Sequence, residues 1–449
     1  MLKGLSSSFI FLIFTIMKKI DIIHYHLKPG GVTKIIQSQI ESLRKSGDYD
    51  IRLFCSDCPN PEPFKEQGVE LICDEVFEYA DFNEKDPEKI NKKMEDTRKA
   101  AEKYFVADRI MHFHNLNLGK NPYWTIAVNE LAEKGFPVIN HAHDFSEDRK
   151  ENQAFMKRII EEHFGKSLKK VMYPEMENYH IATLNRYDYE RVKQNGFSKE
   201  RLHHLPNPIN IEEVIPASDK DTHDQVYRDL GLDNNKSLVT YPVRGIRRKN
   251  IGEFILLAHM FEDVANFVMT LPPENPVEKK SYDKWKAFAH ENEIPVTFEA
   301  GLQTDFVNLI TSSDFCITTS VREGFGMAFL EPWMMSTPVI GRNLKNITKD
   351  LIKEGIEFPG LYNFIRVPYK GNLTDFSELQ FEQQKKIILM LIEDKMMANI
   401  IFVSNSHLKK MFQPVRQNIM SNNQEIIKEK FSIASYGERL KQLYSQFTG

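Results

Sequence analysis

The stretch Phe315-Cys-Ile-Thr-Thr-Ser-Val-Arg-Glu-Gly-Phe-Gly-Met-Ala-Phe-Leu-Glu331, running on into Pro332-Trp-Met-Met-Ser-Thr-Pro338-Val-Ile340, changes backbone type within a few residues. Its first five residues are apolar and β-branched enough for a strand buried in a parallel sheet. Glu323 then falls in a loop with Gly324 and Gly326, and Met327 onward reads as a helix. Glu323 and Glu331, eight residues apart, therefore bracket a loop-to-helix junction. Backbone N–H groups at a helix start point outward and favour negative charge. Free N–H groups, close approach at two glycines and two acidic acceptors suit a ligand both anionic and hydroxyl-rich. A nucleotide sugar has that chemistry.

Upstream of this stretch the same alternation recurs. Residues 237–242, 266–271 and 295–299 read as strands, with helices at 252–261, 281–292 and 305–312. A polar, Asp-rich connection at 216–224 precedes them, and a second alternating run precedes that. In it, residues 20–24 form a strand and His24-Tyr-His-Leu-Lys-Pro-Gly30-Gly31 a loop. Residues 32–45 have helical spacing, with Ile35, Ile36, Gln39, Ile40 and Leu43 on or near one face, and 51–55 are the next strand. Strand, glycine loop, helix, strand is a βαβ unit, and such units build parallel sheets. The charged region 81–102 reads as an exposed helix or an insertion. Strands at 110–114 and 136–141 flank a helix at 124–134, residues 154–170 are amphipathic, and 179–184 form another strand. Beyond 375 the pattern is helical to the end, 435–447 being a last amphipathic helix. The fold class is α/β: two doubly wound domains facing each other. The expected divisions are 17–215, 216–425 and a C-terminal helix at 426–449 that crosses back to the first domain.

Size and composition set bounds. At 449 residues the chain can bury two cores, and its apolar and charged fractions of 41% and 27% are those of an ordinary globular protein. A net charge of −4 argues against a nucleic-acid or membrane footprint over the whole surface. Four cysteines in so long a chain do not make a disulfide framework, which points to a reducing, cytoplasmic setting. The apolar run 9–17 is too short to span a bilayer and lacks a small-residue cleavage site. Residues 1–16 are accordingly read as an extension ahead of a start at Met17, and no integral membrane insertion is expected.

Ligands of open parallel sheets bind at the carboxyl ends of the strands. In the first half those positions hold His24, His26, Gly30, Gly31, His112, His114, Asn115, His141, His143 and Asp144. In the second half they hold Arg244, Arg247, Arg248, Lys249, Glu323 and Glu331. The three His-x-His pairs raise a metal hypothesis, because alternate strand residues point the same way. Only Asp144 accompanies them, so hydrogen bonding to backbone or substrate is favoured over a metal. Cys55 and Cys58 have metal or redox spacing but no second pair, and read as ordinary strand-end thiols. Gly30-Gly31 matters as the N-terminus of a helix facing a phosphate. Four cations directly after a buried strand, Arg244 to Lys249, require an anion or carboxylates to balance them unless the loop is simply solvated. Trp285 and Trp333 read as packing.

Taken together these residues resemble the retaining GT-B glycosyltransferases of the group 1 family, from about Met17 to Gly341. Glu323-Gly-Phe-Gly-Met-Ala-Phe-Leu-Glu331 is similar to the family's Glu-x7-Glu element, with Pro338-Val-Ile340 at the matching distance. Arg244 and Lys249 match its Arg-x4-Lys pair; Gly30-Gly31, His143-Asp144 and Leu205-Pro-Asn207 match weaker elements. The resemblance implies two Rossmann-like domains and transfer of a hexose from a nucleoside diphosphate sugar, UDP-glucose or GDP-mannose, to a hydroxyl with retention. Arg244 and Lys249 would bind and stabilise the diphosphate as it leaves, with no metal or other cofactor. Glu331 would bind the ribose, Glu323 the donor sugar beside the backbone of Gly324, Phe325, Gly326 and Met327. Gly31 would bring its N–H to the phosphates, Gly30 preceding it, and His143 would hold the sugar from the first domain. Domain closure would exclude water.

The chain departs from the family pattern at several points. Ser336 stands where a glycine is usual, and Pro208 follows Asn207. Leu271-Pro-Pro-Glu-Asn-Pro276 replaces a glycine-rich turn, and Pro332 requires a helix that starts later or kinks past Glu331. The acceptor side is expected at His24, His26, His114, Asn115, His141 and Asp144, whose donors suit a small polar molecule or saccharide carrying a carboxylate or phosphate. Lys157, Arg158, Lys166, Lys169 and Lys170 form a solvated helix face rather than a membrane face, given Glu161 and Glu162. Two rival readings are a metal-dependent hydrolase on the His-x-His pairs and a sugar-nucleotide-binding protein without catalysis.

Overall fold

The structure is a computed structural model that describes residues 18–447; the stretch 9–17 and the start at Met17 lie outside the described residues. The described chain divides into two compact units, 18–182, 192–203 and 437–447 forming the first and 183–191 and 204–436 the second. Segment 204–215 thus goes with the second unit, where Ile209 bridges Ser432 and the Ile215 amide donates to the Met334 carbonyl at 2.8 Å. The C-terminal segment is two helices, Gln417–Phe431 and Ile433–Ser445, and the chain from Gly437 onward belongs to the first unit.

In the first unit β1 (Lys18–Ile23), β2 (Tyr49–Cys55), β3 (Glu70–Cys73), β4 (Ile110–His114), β5 (Val138–Ala142), β6 (Tyr179–Thr183) and β7 (Leu202–His204) form one sheet. Their order is β3-β2-β1-β4-β5-β6-β7. Strands β4, β5 and β6 are buried throughout, their polar residues His112, His114, Asn140, His141 and His180 included. The helix Gly31–Ser46 buries Ile35, Ile36, Gln39, Ile40 and Leu43, the face its spacing predicts. The charged region is a helix, the first of its two readings, and not an insertion: Pro87–Tyr104, N-capped by Asp86, is mostly exposed and buries Ile90, Met94, Thr97, Ala100 and Ala101 on one face. The amphipathic stretch 154–170 is broken by a π-helical turn at Arg158–His163.

In the second unit β8 (Ser237–Arg244), β9 (Ala265–Leu271), β10 (Val296–Thr297), β11 (Phe315–Thr318), β12 (Val339–Arg342) and β13 (Gly360–Tyr362) pair in parallel, in the order β10-β9-β8-β11-β12-β13. A separate antiparallel hairpin joins β14 (Arg366–Tyr369) to β15 (Asn372–Asp375). The helix Ile251–Met260 is almost wholly buried. Strand order reverses between β1 and β4 in the first sheet and between β8 and β11 in the second. Ligands of doubly wound sheets bind at the carboxyl end of that switch point.

Met327 does not open a long helix. Residues Met327–Phe329 make a 3₁₀ turn and a short helix begins at Glu331, with Pro332 in its first turn. There a missing N–H costs nothing, so the proline that conflicts with a helix from Gly326 fits. Ser336 takes a left-handed backbone, φ 56°, at the position where the family favours glycine.

Candidate functional site

The second sheet's switch point carries Lys249 after β8 and Glu323 after β11. Three hydroxyls fix the two loops to each other. Tyr241 Oη donates to the Lys249 carbonyl at 3.0 Å and meets Ser320 Oγ at 2.8 Å, and Thr319 Oγ1 donates to the same carbonyl at 2.9 Å. The backbone adds Val321 N to the Arg248 carbonyl, 2.9 Å. On this frame Lys249 Nζ pairs with Glu323 Oε1 and Arg248 with Glu323 Oε2, while Ser320 Oγ donates to Oε1 at 2.6 Å. Burial opposes ionisation of Glu323, but the Lys249 and Arg248 cations outweigh it and hold its carboxyl below the usual range. Burial likewise draws the Lys249 ammonium downward against the pull of Glu323.

The four cations of this loop are balanced by carboxylates, as their cost demands. Arg244 meets Glu274 at 2.9 Å and Arg247 meets Glu278 at 3.2 Å. Arg244, Arg247 and Arg248 are largely exposed, which fits the solvated-loop alternative for those three; Lys249 is buried. The turn 271–276 has its own structural task, since Asn275 caps the helix Pro276–Glu291 through the Val277 amide at 2.8 Å. Gly326 has a left-handed φ of 86°, and a Cβ there would stand 2.7 Å from Ile347. The Gly324 carbonyl accepts from Asn185 Nδ2 at 2.8 Å, Phe325 packs in the core and Glu331 is half-buried.

In the first unit the helix Gly31–Ser46 starts at the carboxyl end of β1. It has no side-chain cap and no acidic residue in its first turn. Gly30 is extended at φ 173°, and a Cβ on Gly31 would meet nothing within 4 Å. Neither backbone conformation nor packing requires these glycines.

The histidines form a buried chain. Gln39 Nε2 donates to His112 Nδ1 at 3.1 Å and to Tyr444 Oη at 2.9 Å, and Gln39 Oε1 lies 2.8 Å from His114 Nε2. His114 Nδ1 meets His143 Nε2 at 2.8 Å, and His112 Nε2 meets His141 Nδ1 at 3.2 Å. Burial pulls His24, His112 and His143 down to about 3 and His114 well below its ordinary value, so these four rings are neutral. With the Gln39 amide in this orientation, His114 donates through Nε2, accepts from His143 Nε2–H, and leaves His143 Nδ1 as a lone pair. His112, His114 and His141 have ring nitrogens within 4.8 Å of one another, the geometry behind the metal hypothesis. Both nitrogens of His112 and of His114, and Nδ1 of His141, are engaged in hydrogen bonds with Gln39, His143, Tyr444 and each other.

Other expected residues fall into place around this chain. Asn115, left-handed at φ 70°, accepts from the amides of His143 and Asp144 at 2.9 and 3.0 Å, holding that loop. His24, His114, Asn115 and His141 are buried, whereas His26 and Asp144 keep exposed surface. Cys55 faces Cys73 on the neighbouring strand, Sγ to Sγ 3.6 Å, rather than Cys58, and all four cysteines are free. Sequence reasoning missed Gln39, Tyr444 and Ser320. A polar Gln39 inside an otherwise apolar helix face was the one available signal.

Residues 224–401 match the family described as glycosyl transferases group 1. The chain is 27% identical over 474 aligned residues to mannosylglucosyl-3-phosphoglycerate synthase of Petrotoga mobilis, covering 94% of this chain and 90% of that protein. It is 21% identical over 339 residues to mannosylglucosylglycerate synthase of the same organism, covering 68% and 75%. Among solved structures, Anabaena Alr3699/HepE in complex with UDP and glucose superposes with a TM-score of 0.61 at 14% identity, over 95% of this chain and 99% of that one. That likeness establishes the fold, two successive Rossmann-like units of the GT-B type.

Proposed function

We propose that this chain, which its match over residues 224–401 places among the group 1 glycosyltransferases, moves mannose from a nucleoside diphosphate sugar to a glucosylated glycerate or phosphoglycerate, with retention at the anomeric carbon. The choice of sugar and acceptor follows the names of the two curated relatives. The observation that carries the reading is the buried Lys249–Glu323 pair, with Arg248 beside it, at the second sheet's switch point.

A leaving diphosphate needs fixed positive charge; Lys249 supplies it where water is largely excluded and an electrostatic contact is worth more, and the exposed Arg244 adds to it from the same loop. Glu323, already charged in the folded chain, both keeps Lys249 in place and offers an acceptor to the donor sugar's hydroxyls. Glu331 binds the ribose, and Gly31 gives its open amide to the phosphates. His143, neutral and with Nδ1 free to accept, holds a sugar hydroxyl rather than moving a proton. A donor-phosphate oxygen then takes the proton of the attacking acceptor hydroxyl on the same face, so the reaction needs no metal and the cations replace it.

Purified protein offered GDP-mannose or UDP-glucose with the glucosylated acceptor is expected to release nucleoside diphosphate from the mannose donor, and to do so in excess chelator. Lys249→Ala should lower kcat about 100- to 1,000-fold, the size of one lost transition-state donor. Turnover that survives this substitution, or that chelator abolishes, refutes the assignment.

A further inference from the structure

Beside the histidine chain, four segments of the first unit converge at the carboxyl ends of β1, β4 and β5. Residues 78–80 and 119–121 are tied together: Ala80 N donates to the Lys120 carbonyl at 3.0 Å and Asn121 Nδ2 to the Glu78 carbonyl at 2.7 Å. Gly119 lets this pair lie against the following segment. It has a left-handed φ of 77°, and a Cβ there would stand 2.8 Å from Ser146 and 2.9 Å from Met156. Asn152 Nδ2 closes the contact on the Leu118 carbonyl at 2.6 Å. The result is a fixed cradle, not a set of free loop tips.

Lys120 stands in it, half-buried, its ammonium 4.5 Å from the Phe82 ring centre and 5.7 Å from that of Tyr79. No carboxylate lies within ion-pair distance of it among the described residues. Burial lowers its pKa, and Arg149 lowers it further, with Glu151 opposing. Arg149 itself meets Asp144 at 3.1 Å, and Lys28 meets Asp57 at 3.5 Å. Tyr79 Oη has no hydrogen-bond partner among the described residues. His26 stands edge-on to the Tyr79 ring at 5.3 Å with a buried, unpartnered Nδ1. A half-desolvated ammonium beside a second cation, with uncommitted polar atoms on the wall, is costly unless an anion completes it.

We propose that Lys120, with Arg149, Tyr79 and His26 around it, is the subsite that holds the acceptor's anionic group, a phosphate monoester. The word acceptor rests on the function proposed above; the anion site itself does not. Lys120 supplies three donors on a compact charge and Arg149 a planar fork, a pair suited to a tetrahedral dianion. A phosphate there would lie at the same sheet edge as the histidines rather than at the donor loop of the second unit.

The test is calorimetric titration, without donor, of glucosyl-3-phosphoglycerate against its dephosphorylated counterpart. The wild type should bind the phosphorylated probe about 10- to 100-fold more tightly, the worth of one or two charge-assisted hydrogen bonds. Lys120→Met, which keeps the packing on both rings, should erase that preference at an unchanged melting temperature, and Lys120→Arg should restore most of it. In turnover the Lys120→Met defect should lie in the acceptor KM rather than kcat. A wild type that does not prefer the phosphorylated probe, or a Lys120→Met protein that still does, overturns the proposal. Failure of the wild type to consume any nucleotide sugar would instead strike the transferase reading, because the titration uses no donor.

Discussion

Gln39 is the residue on which the first unit's polar interior depends. It is fully buried, and its one amide serves His112, His114 and Tyr444 at once. An apolar side chain there would leave His114 Nε2 unbonded and take one partner each from His112 Nδ1 and Tyr444 Oη, which still meet at 2.9 Å. A polar group left unbonded costs about 1–3 kcal/mol before relaxation. Gln39→Leu is expected to lose about 2–4 kcal/mol of stability in urea unfolding, and a midpoint equal to that of the wild type would contradict the network. It should also free the His114 tautomer and, through it, His143. None of this could be read from the chain, because the three partners lie 73, 75 and 405 residues away. The candidate residues that the sequence singled out in the second unit, Arg244, Lys249, Glu323 and Glu331, share a different property. Arg244, Lys249 and Glu323 lie within five residues of a strand end and Glu331 opens the short helix that follows, so local spacing carried them.

At the scale of elements, legibility followed length and burial. The helices Gly31–Ser46 and Pro122–Glu133 announced themselves through long apolar or periodic runs. β3, β7 and the β14–β15 hairpin are short, and several of their residues are exposed, so no pattern marked them. The outer face of the helix Pro87–Tyr104 is so highly charged that the sequence does not decide between a helix and an insertion. One element contact bears directly on the donor loop. The helix Ile251–Met260 begins two residues after Lys249, and its buried Glu253 is gripped by Arg342 at the end of β12, at 2.7 and 2.5 Å. Arg342 also holds Asp375 twice at 2.8 Å, and Tyr362 Oη donates to Glu253 at 2.7 Å. Burial raises the Glu253 pKa and Arg342 opposes it. Breaking such a pair from one side leaves a buried, unbalanced carboxyl. Arg342→Met should therefore cost about 3–5 kcal/mol in denaturant unfolding. The double variant with Glu253→Gln should cost less than Arg342→Met alone, and a larger loss in the double variant would show that the pair is not the source.

At the scale of the whole molecule, each unit places its chemistry at its own sheet's switch point, and the two differ in electrostatic character. At its switch point the second unit answers buried charge with buried countercharge, whereas the first keeps the rings there neutral, its own buried ion pair being Asp21 with Arg109. Among the described residues no helix is long and apolar enough to cross a membrane. The last stretch of chain, from Gly437, completes the first unit: Leu440, Leu443 and Tyr444 are buried there and Tyr444 joins the Gln39 network. The neutral rings make a prediction about the protein as a whole. His24, His112 and His143 have folded pKa values of about 3, depressed by burial from the ordinary 6.5. Below pH 6.5 the unfolded chain takes up protons at these rings while the folded chain does not, so stability falls as pH drops through 6.5 and goes on falling towards 3. Each ring contributes about 1.4 kcal/mol per pH unit once the unfolded form is protonated, so the three together remove about 4 kcal/mol between pH 6 and pH 5. Against a typical margin of about 5–15 kcal/mol that is a large share, and the first unit should be the part that gives way. Urea unfolding at pH 7, 6 and 5, followed by exchange protection of the Gly31–Ser46 helix, measures it; stability that stays level over this range would mean that the rings are protonated in the fold.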